Sequence, residues 1–179
     1  MNARLLLTAC ALLVATLGLA EDHEHAAAPK VDDARFQFLE KLAGQWVTRS
    51  ATGAMPAGLF EFRVTAGGTA IEEREMIGTP MEMLTVYHLD GGELVGTHYC
   101  MIGNQPKVKA APKVTDNTLA FACNGTPGNA KSHDEHHVHA WSIQLREDGS
   151  LLYNAELSEN GTVTEEPSVV LVRQETASR

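Results

Sequence analysis

Four histidines fall within seven residues in His133-Asp134-Glu135-His136-His137-Val138-His139. Neutral imidazoles are ligands for zinc, copper or nickel, and carboxylates such as Asp134 and Glu135 can assist. His133, His136, His137 and His139 are therefore candidate metal ligands. Strand alternation predicts His137 and His139 on one face with Trp141, Ile143 and Leu145. His133 and His136 come from the loop just before. No second half-site at conventional zinc spacing accompanies them. A further ligand would come from His98, or from His23 and His25 in an acidic stretch near the start. The competing reading is a solvated loop with adventitious metal affinity.

A second constellation lies in the middle of the chain. Glu73, Arg74, Tyr87 and His98 fall on neighbouring predicted strands, and Asn104 and Gln105 follow at a loop. A carboxylate, a guanidinium, a phenol and an imidazole can orient a polar ligand group against an apolar wall, provided buried charges find partners. These six are candidate ligand-binding residues. His98, Tyr87 and Glu73 could also serve acid–base chemistry on a bound carbonyl or ester. No G-x-S-x-G, H-E-x-x-H, phosphate loop or dinucleotide fingerprint occurs, so no catalytic residue is assigned and the balance leans away from an enzyme. Met76, Met81, Met83 and Met101 cluster near the same segment and read as core filler ahead of copper ligands.

These groups must be placed by a small exported domain. Arg4 precedes an apolar run from Leu5 to Gly18-Leu19-Ala20, which reads as a signal peptide cleaved after Ala20. The alternative is lipidation at Cys10, but too few apolar residues precede it. Export predicts a periplasmic or secreted protein. Residues 21–32 read as a flexible leader and 33–176 as one domain. Cleavage leaves 159 residues with 13 basic and 23 acidic side chains. That surface repels nucleic acid and anionic membranes and points to a small-molecule partner, with no membrane insertion of the mature chain. Oligomeric state is not legible. Cys100 and Cys123 are candidates for one disulfide. A strand predicted between them would set them about 9.5 Å apart, beyond the roughly 7 Å that a bridge spans.

A short helix is predicted over Asp33–Leu42, capped by Asp33 and stopped by Ala43-Gly44. Beyond it the apolar period drops to two. Strands are predicted at Gln45–Ser50, Leu59–Thr65, Thr69–Ile77, Glu82–Leu89, Glu93–Met101, Gln105–Ala110, Thr118–Cys123, His137–Arg146, Leu151–Ser158 and Thr162–Gln174. Tight turns such as Asp90-Gly91-Gly92 and Asn160-Gly161 join them. About ten meandering strands without helical crossovers predict an all-β fold, a closed antiparallel up-and-down barrel, because closure removes the edges. Such a barrel can hold one small hydrophobic or amphipathic ligand. Both faces of several strands mix polar and apolar residues, as a ligand- or water-filled interior would. A haem ligated by His139 or His98 is a further cofactor reading.

Gly44-Gln45-Trp46 after a short helix, with Arg173 closing Val169-Val170-Leu171-Val172, resembles the lipocalin-like calycins. That resemblance implies that Trp46 packs under Arg173 and closes the barrel's end. Glu73-Arg74, Gly78-Thr79-Pro80-Met81-Glu82-Met83, Tyr87-His88-Leu89-Asp90-Gly91, Thr97-His98-Tyr99-Cys100 and Gly103-Asn104-Gln105-Pro106 resemble bacterial lipocalin-like proteins. These form the domain-of-unknown-function family numbered 1579. The resemblance spans roughly residues 36–174, with residues 69–106 carrying most of it. It implies a calycin-like barrel and brings no established activity.

Overall fold

The computed structural model describes residues 30–49 and 58–174. The signal-peptide expectation and residues 21–29 of the leader lie outside them. A helix, α1 (Ala34–Lys41), precedes eleven strand segments. They are β1 (Gly44–Thr48), β2 (Leu59–Thr65), β3 (Ala70–Glu75), β4 (Met83–Asp90), β5 (Glu93–Tyr99) and β6 (Lys107–Ala110), then β7 (Thr118–Cys123), β8 (His137–Leu145), β9 (Leu151–Glu159), β10 (Thr162–Glu165) and β11 (Val169–Arg173).

Strands β1 to β9 pair antiparallel in chain order, and β11 pairs with both β9 and β1. The sheet therefore closes. β10 and β11 lie along the same edge of β9, opposite Glu156–Glu159 and Leu151–Tyr153 respectively. They are two halves of the one strand predicted over Thr162–Gln174. Pro167 breaks it, because proline has no N–H to give the ladder. The result is a closed ten-strand antiparallel up-and-down barrel with one short helix, a calycin or lipocalin-like fold. Among the described residues, no helix is long and apolar enough to cross a membrane.

The helix starts where the sequence says it should. Asp33 Oδ1 accepts hydrogen bonds from the backbone N–H groups of Arg35 and Phe36 at 2.9 and 3.1 Å. Phe36, Phe38, Leu39 and Leu42 then go into the core. The Arg35 guanidinium pairs with Asp33 and donates to Gly92 O at 2.8 Å, fastening α1 to the β4–β5 turn. The other end of α1 is tied to the barrel seam. Arg173 donates to the carbonyls of Ala43 (3.0 Å) and Lys41 (2.9 Å) while its guanidinium carbon sits 4.4 Å from the Trp46 ring centre. The fully buried Trp46 donates from Nε1 to Leu42 O at 2.8 Å. Three carbonyls at the helix end thus gain donors, each worth roughly 1 kcal/mol net. The cation over the indole adds about 0.5–2 kcal/mol.

Two breaks in strand alternation shape the interior. Met76 has φ +53°. It is buried beside the inward Glu75, although neighbours on a regular strand point to opposite faces. A register shift between Val138 and Ala140 places a bulge at His139. Val138 and Trp141 consequently both line the interior.

Candidate functional site

The barrel encloses a cavity of about 320 Å³ at the end away from α1. That is near the lower end of the range for small-molecule sites, roughly 300–1,000 Å³. Its wall is apolar: Met76, Met81, Met83, Trp141, Tyr153 and Leu157. Its buried polar lining is Glu75 and His98, and the exposed Glu166 adds a carboxylate at its edge. Met101, Ile102 and His136 stand at the rim, and Met101 and Ile102 remain 49% and 44% exposed.

The polar lining comes from pleat geometry. On β3, Ile71, Glu73 and Glu75 alternate inward. The register then sets Glu73 opposite Thr85, and Thr85 opposite His98. Glu73 is fully buried and accepts from the Tyr87 hydroxyl at 2.5 Å. Tyr87 reaches it because β5 carries Gly96 beside the ring: a Cβ there would lie 2.9 Å from Tyr87 Cδ1. His98 Nδ1 is 2.9 Å from Thr85 Oγ1 and 3.7 Å from Glu75 Oε1. Glu73 Oε1 and His98 Nε2 are buried and make no hydrogen bond.

Burial controls the charge of this cluster. It pushes the Glu73 carboxyl up to about 7, against the opposing pull of hydrogen bonds from Tyr87 and Tyr153. It pushes Glu75 well above the carboxylate range, with the Glu73 charge adding to the rise. It pushes His98 down to about 4. Tyr87 and Tyr153 are also pushed up by burial and stay protonated. Burial thus favours the neutral forms of both His98 and Glu75, which makes their 3.7 Å contact one between uncharged groups rather than an ion pair. The buried pair Glu75 and His98 thus offers hydrogen bonds without fixed charge.

The Thr85–His98–Glu75 group does not make a nucleophilic triad. Thr85 and Glu75 both face the same imidazole nitrogen, Nδ1, so the ring cannot relay a proton between them. Thr85 is also completely buried. Cys100 lies at the cavity with its thiol 3.9 Å from Met83 Sδ, and burial raises its pKa, so it stays an unreactive thiol.

Of the six residues expected to bind ligand, Glu73, Tyr87 and His98 are brought together. Arg74 is not: it alternates outward on β3 and pairs with the exposed Glu82. Asn104 and Gln105 do not line the cavity. Asn104 donates from Nδ2 to His136 O at 2.7 Å, and Gln105 pairs its backbone with Gly128. They hold the long β7–β8 loop against the barrel. Cys100 and Cys123 are free thiols with β6 between their strands, so the candidate disulfide is not formed. Glu75, Thr85 and Tyr153 were not singled out from the sequence. The inward parity of β3 was the available signal for Glu75.

The histidine segment divides. His133, His137 and His139 pack together, with ring centres 4.7 to 5.7 Å apart. His136 leaves them for the cavity rim. The bulge at His139 also separates the pair His137 and His139 from Trp141, with which strict alternation would have grouped them. Cys123 takes the place in the cluster that was expected of His136. No family model matches the chain, and no curated protein matches it.

Proposed function

We propose that this protein binds one small amphipathic molecule inside the barrel. The apolar body would lie along the methionine and aromatic wall, and a hydrogen-bonding head would reach Glu75 and His98. The observation that carries this is the cavity of about 320 Å³, whose lining includes His98, a buried imidazole with one nitrogen left without a partner. Leaving such an atom unpaired costs about 1–3 kcal/mol, which a ligand's polar group would recover. Methionine suits the wall because its unbranched, polarisable side chain adapts to varied shapes. Export through residues 1–20 and kinship with the lipocalin-like family numbered 1579 belong to the same proposal. They rest on the sequence patterns alone.

The test is native mass spectrometry of the untagged protein, followed by titration with a fluorescent apolar probe. One probe molecule should bind per barrel. Ala155 lines the cavity across from Trp141, so Ala155→Phe should lower probe affinity at least tenfold while far-ultraviolet circular dichroism stays unchanged. Probe binding that Ala155→Phe leaves intact would place the site elsewhere and sink the proposal.

A further inference from the structure

Outside the cavity, a cysteine and three histidines cluster where the β7–β8 loop meets its two strands. Cys123 ends β7, His133 lies in the β7–β8 loop, and His137 begins β8. The thiol sulfur and one nitrogen from each imidazole lie within 4.8 Å of one another. The His139 ring packs edge-on against both other imidazoles, at 5.7 Å in each case.

Hydrogen bonding sets the direction in which these rings can act. His137 is completely buried. Its Nδ1 lies 2.7 Å from Glu135 O, and a carbonyl only accepts, so Nδ1 carries the proton. That leaves Nε2 as a lone pair, buried and without a partner. A backbone carbonyl behind the distal ring nitrogen is the arrangement that orients metal-bound histidines. His139 Nδ1 is likewise buried and unpartnered. Two buried nitrogen atoms without partners in one small cluster are costly unless something pairs with them.

The loop is also pre-set. Asn104 holds His136 O, Asn160 N–H donates to Asp134 O at 2.7 Å, and Lys131 N–H donates to Glu135 Oε1. Asn129 donates to Gly103 O at 2.9 Å. Ordering entropy is thus already spent before any ion arrives.

We propose that Cys123, His133, His137 and His139 form a site for a borderline divalent transition-metal ion, zinc foremost. One thiolate and three imidazoles suit a tetrahedral zinc centre and exclude magnesium or calcium, which take oxygen ligands. The ligand atoms of Cys123, His133 and His137 lie within 4.8 Å of one another, against the roughly 3.5 Å separations of a tetrahedral site, and the adjacent His139 ring would turn in as the fourth ligand as the set closes. The bound ion would clasp the β7–β8 loop to β7 and β8. That loop carries His136 to the cavity rim, so the clasp also fixes one side of the mouth.

The experiment is isothermal titration of the full, metal-stripped protein with zinc, paired with cobalt(II) absorption spectroscopy. Zinc should bind one to one and raise the midpoint of thermal unfolding. Cobalt(II) should give the intense visible bands of tetrahedral coordination and a near-ultraviolet thiolate charge-transfer band. Cys123→Ser should remove the charge-transfer band, and His137→Ala should weaken zinc more than tenfold. His136→Ala, and His23→Ala with His25→Ala, should leave zinc affinity unchanged. No stoichiometric zinc, or a cobalt complex without the thiolate band, overturns the site using the unsubstituted protein alone. Binding lost only with His23 and His25 would assign the metal to the chain's start and overturn it as well.

Discussion

Two buried groups of opposite kind titrate in neighbouring positions, and their effects on stability oppose. Burial holds the Glu73 proton on to about pH 7, against 4.5 for an unburied carboxyl. The native state therefore binds more protons than the unfolded chain between those values, and stability falls as pH rises through them. His98 goes the other way. Its pKa drops from 6.5 to about 4, so the native state binds fewer protons in that window and stability rises with pH. Each term is capped at about 3 kcal/mol, since one pKa unit corresponds to about 1.4 kcal/mol. Glu73→Gln removes the falling term and leaves the rising one. Urea denaturation at about pH 5 and about pH 7.5 should show the variant gaining about 1–3 kcal/mol on the native protein at the higher pH. A constant difference between the two would mean that Glu73 is already ionised at pH 5. Ionisation at that pH would mean that the Tyr87 and Tyr153 hydrogen bonds outweigh burial at Glu73.

At the scale of elements, the weak point of the closed end is Gly44, where α1 turns into β1. Its φ of +124° lies in the region that favours glycine, and a Cβ there would sit 2.9 Å from Arg173 Nη1. Gly44→Ala should destabilise by about 1–3 kcal/mol, read from the same denaturation curves. Arg173→Lys should cost about 1–2 kcal/mol, because a single ammonium cannot serve both the Lys41 and Ala43 carbonyls while covering Trp46. An Arg173→Lys variant as stable as the native protein would show that the seam does not depend on the fork. This closed end was legible in the sequence because its signals are local: a capping Asp33, a stop at Ala43-Gly44, and Trp46 two residues further on. The meander was legible for the same reason, as each hairpin carries its own turn. The site was only partly legible. Parity on β3 separates Glu73 and Glu75 from Arg74, and that separation was there to be used. The Met76 and His139 irregularities were not, since a left-handed residue or a bulge leaves no periodic mark. Cys123 joins His133 and His137 through a loop of irregular backbone, which no strand pattern encodes.

Taken as a whole, the molecule disfavours anions at its cavity. The chain carries a formal net charge of −9. Glu75 and Glu166 line the cavity, and Glu73 lies deeper, bridged to Tyr87. Among the described residues, no arginine or lysine lines it. Burial favours the protonated forms of Glu73 and Glu75, and protonated Glu75 can donate a hydrogen bond to an uncharged head group. As pH rises through about 7, Glu73 ionises beneath the floor. A negative charge in a medium of low effective dielectric then acts on whatever head group sits above it, by about 1–4 kcal/mol at short range. Three amphiphiles with the same alkyl chain separate the cases. A fatty alcohol should bind about equally at about pH 6 and about pH 8.5. A fatty carboxylate should bind on the order of tenfold more weakly at the higher value, and an alkylammonium on the order of tenfold more tightly. Isothermal titration at the two pH values reads all three. In the Glu73→Gln background the pH dependence of both charged ligands should shrink. Tight carboxylate binding that is indifferent to pH and to Glu73→Gln would mean that the head group lies at the rim near Met101 and Ile102, with the chain's other end toward His98.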